Sequence, residues 1–409
     1  MRFPPLFKRI YFQVPFWSLV VYLSRFRPDK GHYFNYLADA FLHGRLNVIP
    51  GRHFEDLVLF NGKYYLYWPP VPAIVMMPFV ALFGPVLPDA IFSSCTGALN
   101  VWLFMKICSR FSEQFSLGLK AREIMWAGLF WAFGTVHFYM AANGDVWEFS
   151  QVIAQTFLLS SVYFFLENRR WWLSGILFGL AVYTRNDLVF AGFFFVFLYF
   201  AMNPGRKISQ FLKSSTVFLI PFVIFSLLNA WYNFARFGDV ADNGLKYHLM
   251  NDYFIENFQK HGYFSWHYFA HNFYTEVLHW PTFLLEDPFI QEEPEGFGFI
   301  WASPFFLMLI PAMGLWIYRL FTKANPQGFK LITIGAWAAT LPIATTIFLI
   351  MGTGWRQFGA RYTLDFQFFL LVFLMFCWPY LSRYSLVRKL SLVLIFLSFI
   401  IQAIGAGNN

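Results

Sequence analysis

Charge is what this chain has least of. Of 409 residues only 13% are Asp, Glu, Lys or Arg, while 58% are hydrophobic and 23% aromatic; soluble domains run near ~25% charged. A soluble globular enzyme is thereby excluded. Also missing are any polar, alternating stretch large enough for a separate soluble domain and any fixed-period repeat, so a single domain over 1–409 is expected. Cysteine is scarce, with three residues. Cys95 and Cys377 lie in apolar blocks and Cys108 near a block end, which gives neither a disulfide framework nor a metal-binding spacing. Residues 1–26 have a basic start and an apolar body but lack a small-residue cleavage site, and Arg25 and Arg27 follow. They are expected to stay as a first span. The net charge of +8 comes from basic residues dispersed in short clusters between apolar blocks, a topology signal that implies membrane lipid and no nucleic acid.

What is there is a series of apolar blocks of helix-spanning length. Eleven can be placed, at about 10–26, 89–107, 122–141, 149–167, 171–184, 187–202, 211–235, 299–320, 330–351, 363–382 and 389–405, which predicts an all-α polytopic membrane protein. Between the first two lies 69–85, whose apolar core is short for a span and is broken at Pro69, Pro70, Pro72, Pro78 and Pro85. If it crosses the bilayer, the clusters around Arg110 and Lys120, Arg169 and Arg170, and Arg206 and Lys207 fall outside. If it is re-entrant or interfacial, they join Arg319, Lys330, Arg383 and Arg388 on the cytoplasmic side, as the positive-inside tendency requires. The second arrangement is expected. It turns four segments outward together: the first loop (27–68), 142–148, a large aromatic loop (236–298) and 352–362. The aromatic loop suits helices lying in the headgroup region, either covering an active site or forming a packed cap.

The polar residues of these segments are the candidates for chemistry. Phosphate at a bilayer surface needs cations, and Lys63, Arg185, Arg356 and Arg361 all fall at external ends; Arg forks onto phosphate oxygens, whereas Lys acts as a point charge. Each has a plainer reading. Lys63 and Arg356 can reach lipid headgroups, and Arg185 can pair with Asp187 at a break where Asn186 and Asp187 would cap the next helix. Around Arg361, Gly352, Gly354 and Gly359 let backbone approach a ligand. In Asn143-Gly144-Asp145-Val146-Trp147-Glu148, Asp145 and Glu148 are either substrate-binding acids or a turn and cap. Asp56 and Asp39 read first as solvated loop charge, with Asp56 the better substrate candidate. His267 and His271 share a helical face, but there is no His-Glu-x-x-His pattern and no cysteine ligand, so no metal site is assigned.

Three stretches carry a resemblance: Asp29 beyond the first span, then His32-Tyr-Phe-Asn-Tyr-Leu-Ala-Asp-Ala-Phe-Leu-His-Gly-Arg-Leu46, then Gly62-Lys-Tyr-Tyr-Leu-Tyr-Trp-Pro-Pro70, with echoes at Gly179 to Arg185 and Phe358 to Tyr362. In this order and topology the chain resembles the GT-C superfamily, polytopic glycosyltransferases that use polyprenyl-phosphate sugars, such as the protein O-mannosyltransferases and aminoarabinose transferases. The resemblance implies that Asp29 is the acid that deprotonates the acceptor, that Lys63 meets donor phosphate, and that Asp145, Glu148 and Tyr362 lie near substrate. It implies a polyprenyl-phosphate-linked sugar donor, a lipid, glycan or protein acceptor, and an outward-facing site on a bacterial inner membrane. The family's frequent Asp-Glu pair is here Asp29-Lys30, which leaves acceptor type and a divalent metal open. A positioned carboxylate can take the acceptor's proton while a phosphate diester leaves without a strong acid. The rivals are a polymerase or ligase using a diphosphate-linked glycan, and a lipid or glycolipid flippase. A flippase should carry ionisable residues near the bilayer midplane, where this chain's blocks are mostly free of charge.

Overall fold

The computed structural model describes residues 5–25, 31–51, 56–167, 170–250, 252–291, 293–321, 328–354 and 357–406. Helix follows helix. The first, α1 (Pro5–Ser24), leads to α2 (Tyr33–Leu42), a hairpin of β1 (Leu57–Phe60) and β2 (Lys63–Leu66), and α3 (Val71–Phe83). Asn61 and Gly62, both at positive φ, make the two-residue hairpin turn, which matches the right-handed twist of the paired strands. Next come α4 (Asp89–Gln114), α5 (Ala121–Phe133), α6 (His137–Ala142), α7 (Val146–Leu166), α8 (Trp171–Val182), α9 (Ala191–Met202) and α10 (Ile208–Phe237). Two short helices, α11 (Asp252–His261) and α12 (Phe269–Phe273), lie in the large loop. The chain closes with α13 (Phe299–Ala302), α14 (Leu309–Leu320), α15 (Phe329–Leu349), α16 (Leu364–Leu381) and α17 (Ser385–Gly405).

All eleven expected blocks are helical. Six helices, at 89–114, 146–166, 208–237, 329–349, 361–381 and 385–405, are long and apolar enough to cross a bilayer, and four shorter apolar helices accompany them. The architecture is that of an all-α polytopic membrane protein, with the hairpin its one paired sheet among the described residues. One expected block, 122–141, divides into α5 and α6 at Gly134, where a Cβ would strike the Phe130 ring.

Lipid tails are as apolar as leucine, so small and hydrogen-bonding residues hold such helices together. Ser161 of α7 and Ser174 of α8 each donate a hydroxyl to the other's carbonyl at 2.8 Å. Asn100 of α4 donates to the Val152 carbonyl of α7 at 2.9 Å. A Cβ on Gly175 of α8 would lie 2.2 Å from the Phe218 carbonyl of α10, so only glycine permits that approach. The outer face of α10 exposes Ile220, Leu227 and Trp231, as suits a helix against lipid.

The four segments expected to face outward meet at one end. The first loop joins the large loop where Leu249 N–H donates to the Leu57 carbonyl at 3.0 Å, and Arg236 Nη1 reaches the Leu66 carbonyl at 2.8 Å. The large loop joins the last segment through Met351 N–H to the Tyr263 carbonyl at 2.9 Å and Gln357 Nε2 to the Glu295 carbonyl at 2.9 Å.

Candidate functional site

Where these segments meet, two arginines flank one aromatic ring. Arg361 ends an irregular stretch before α16, and Arg185 sits between α8 and the 3-10 turn Asn186–Phe190. Their guanidinium carbons lie 5.3 and 5.1 Å from the centre of the Tyr362 ring, within cation–π range. Both arginines are buried, and buried guanidinium groups need partners. Arg361 Nη1 lies 3.4 Å from Glu148 Oε1 and its plane approaches the Trp147 ring at 5.0 Å. Arg185 Nε donates to Asp365 Oδ2 at 3.1 Å, with Nη2 on the same oxygen, while Asp187 stands farther off at 3.8 Å. Gln151 ties the two pairs together, donating to the Arg361 carbonyl at 3.2 Å and to Asp365 Oδ2 at 3.4 Å.

This arrangement unites Arg185, Arg361, Tyr362 and Glu148, four of the residues singled out in the sequence. Asp145 joins them through its proximity to Glu148. It occupies the N-cap position of α7 but makes no side-chain capping bond there. Gly144 explains how the loop gets so close: a Cβ there would lie 2.2 Å from Ala90 N. Asp56, expected as solvated loop charge, is buried instead, beside Tyr67 of the hairpin. Tyr67 faces Tyr263 and Tyr362, and burial, reinforced by the Asp56 carboxylate, holds its hydroxyl well above its ordinary value.

Lys63 is placed differently. It is exposed and pairs with Phe60 at the turn end of the hairpin, four residues or about 13 Å of extended chain from Tyr67. Asp29 and Arg356 lie outside the described residues. Asp39 is paired with Arg45 at 3.0 Å, and Asn186 and Asp187 hold no cap position: the N-cap of the turn is Arg185 and that of α9 is Phe190.

Three residues of the site were not foreseen. Asp365 is an acid in the first turn of α16, and only its distant partner Arg185 reveals it. Gln151 sits in an apolar run, where a glutamine is itself a signal that a buried partner exists. Glu276, in the turn Tyr274–Leu278 of the large loop, is fully buried, and neither of its carboxylate oxygens meets a hydrogen-bond donor at ordinary distance among the described residues. Burial pushes its carboxyl well above the usual range, opposed by the Thr353 hydroxyl and by the charge of Arg361 and reinforced by Glu295 and Asp365. Glu148 Oε2, Gln151 Oε1 and Asp365 Oδ1 are likewise buried acceptors without a donor among the described residues.

The histidines of the large loop are used in ion pairs and stacking. His271 Nε2 meets Glu295 at 2.5 Å, His279 Nε2 meets Glu293 at 3.3 Å, and His261 stacks on His267 at 3.8 Å. Among the described residues no three His, Cys, Asp or Glu side chains are grouped closely enough to hold a metal ion.

No protein-family model matches this chain, and no curated protein matches its sequence. Among solved structures it is similar to ArnT from Cupriavidus metallidurans bound to undecaprenyl phosphate, with TM-score 0.48 and 15% identity over 94% of this chain and 61% of that one. It is also similar to an Archaeoglobus fulgidus oligosaccharyltransferase tethered with an acceptor peptide, with TM-score 0.48 and 12% identity over 97% of this chain and 55% of that one. The chain thus spans less than two thirds of the length of either, and likeness at this level assigns neither substrate nor site residue.

Proposed function

We propose that this protein is a membrane glycosyltransferase that moves a sugar from a polyprenyl-phosphate donor to an acceptor at the outer face of the membrane. The observation that carries the reading is the buried pair of arginines about Tyr362, set among acceptor oxygens that lack donors among the described residues. A sugar phosphate suits such a site from both sides. Its phosphate oxygens take the fork of Arg361 or Arg185, and its hydroxyls give donors to Glu148 Oε2, Gln151 Oε1 and Asp365 Oδ1. As the bond from the anomeric carbon to the phosphate oxygen breaks, the electron pair stays on phosphate, where fixed positive charge favours it. The acceptor's oxygen or nitrogen bonds the same carbon from the opposite side, inverting it, and its proton passes to a carboxylate. Asp29 is the base we assign, with Asp56 and Asp145 as the acids next in line. The aromatic segments around Trp266, Tyr274 and Trp280, all exposed, suit a surface that meets lipid and the donor's polyprenyl chain.

The test is transfer or release of radiolabelled sugar from a panel of polyprenyl-phosphate sugars by the purified protein in nanodiscs. Asp29→Asn keeps shape and hydrogen bonding but cannot take a proton, and loss of a positioned base costs about a hundred- to ten-thousand-fold in rate. Donor affinity should be retained and transfer lost. Turnover of the Asn variant at the parental rate removes Asp29 from the role, and inertness of the parent toward every donor removes the reading itself.

A further inference from the structure

A cavity of about 540 Å³ lies at the other end of the bundle, walled by α4, α5, α16 and α17. On α16 the candidate site precedes the first turn at Arg361, and the cavity reaches Trp378 in the last. Seventeen residues put about 25 Å between Arg361 and Trp378, while the floor residue Phe368 stands seven residues, about 10 Å, from Arg361. The volume falls within the ~300–1,000 Å³ of ligand pockets.

Its two ends differ in chemistry. The floor is apolar and buried, made by Phe104, Ile107, Phe130, Phe368 and Val372. The mouth carries three exposed cations, Arg122, Arg388 and Lys389. Among the described residues the one acid on the lining is Glu123, and both its oxygens are engaged: Oε1 accepts from Trp378 Nε1 at 2.7 Å and Oε2 from the Lys120 N–H at 2.8 Å. Arg388 donates to the Ser382 and Arg383 carbonyls just past the end of α16, neutral acceptors, and no carboxylate among the described residues pairs with its charge. Along α17 the lining residue Leu392 is exposed, as are its neighbours Val393 and Phe396, so the cavity opens on an apolar outer face that suits lipid. A soluble anion would find the cations but would leave the apolar floor unfilled. A zwitterionic lipid would fill the floor but gain little from three cations.

We propose that this cavity binds an anionic phospholipid, one acyl chain lying between α5 and α17 and the phosphate held by Arg122, Arg388 and Lys389. Basic pockets between spanning helices recognise lipid headgroups in this way. The lipid would wedge α17 against the bundle from the end opposite the transferase site, so the assignment stands or falls apart from the glycosyltransferase reading.

The test uses full-length protein purified in detergent and then supplied with phosphatidylglycerol, phosphatidylcholine or inorganic phosphate. Lipid retention is counted by native mass spectrometry and thermal unfolding is followed alongside. Phosphatidylglycerol should be retained and should raise Tm, whereas phosphatidylcholine and phosphate should not. Arg122→Gln with Lys389→Gln should weaken retention by about 30-fold, two surface charges at ~1 kcal/mol each. Arg388 is left alone because it also holds the end of α16. Ala127→Phe, which fills the cavity from the α5 side, should abolish the phosphatidylglycerol effect with the mouth charges intact. Equal retention of both lipids, a Tm rise with phosphate alone, or variants that still retain phosphatidylglycerol would each overturn the proposal. Retention is read on the parent too, so a variant that fails to fold leaves the lipid comparison standing.

Discussion

Arg361 shows at the scale of one residue why a buried charge is hard to interpret by deletion. Removing its guanidinium strands Glu148, 4% exposed at its side chain, beside an apolar wall, and breaking a buried pair costs about 3–5 kcal/mol of stability. Arg361→Ala therefore confounds folding with binding. Arg361→Lys keeps the charge for Glu148 but loses the planar fork, so the protein should fold while donor affinity falls by about 1–3 kcal/mol. Isothermal titration with a polyprenyl-phosphate sugar in nanodiscs reads this directly; parental affinity in the Lys variant means that Arg361 does not hold phosphate. Glu276 makes the complementary case. Its folded-state value is raised above the ordinary 4.5 by burial, so the stability it contributes is fully present below pH 4.5 and is lost as pH rises through the raised folded value. Glu276→Gln stays neutral throughout. Tm of the parent should fall more steeply than that of the variant between pH 5 and 8, and parallel Tm profiles would show that Glu276 is not held protonated.

At the scale of elements, the loop before α7 depends on one atom that is absent. With a Cβ at Gly144 only 2.2 Å from Ala90 N, the loop or the start of α4 must move, and overpacking of this kind costs about 1–3 kcal/mol. Gly144→Ala should lower Tm and also cut transfer, because Glu148 begins four residues on; a variant with lower Tm and unchanged transfer would detach that loop from the chemistry. Helices and their approximate ends were legible in the sequence because twenty-residue apolar blocks admit one backbone solution in a bilayer. The site was legible only in part, for a physical reason. Arg185, Arg361 and Glu148 announce themselves as charges at the ends of apolar blocks, but which acid answers which base depends on contacts made 180 and 213 residues apart. Asp187, two residues from Arg185, was the sequence's natural partner and keeps a long ion pair at 3.8 Å, while Asp365, which the sequence did not suggest, takes the hydrogen bonds because α16 brings it nearer. The same limit hid Asp56, whose burial is decided by the large loop bonding back to β1 at Leu57.

For the whole molecule, charge and geometry make a joint statement about orientation. The candidate site and the acids of the loops gather at one end, while Arg122, Lys330 and Arg388 lie at the other, where Trp378 bonds Glu123 and Phe115 packs under Gly328. Positive charge favours the cytoplasmic side, so the site end should face out. Leu285, fully exposed in the large loop, and Lys207, exposed just before α10, sample the two ends. With Cys95, Cys108 and Cys377 replaced, a cysteine at Leu285 should react with a membrane-impermeant maleimide on intact spheroplasts. One at Lys207 should react only after permeabilisation. Because every span reverses the chain, a mistaken crossing by α3 would invert everything after it. Lys207 would then label from outside and Leu285 would not, which would abandon both the re-entrant reading of 69–85 and the outward-facing site. Labelling of both from outside would instead fault the bundle between them, at α10 or the helices after it.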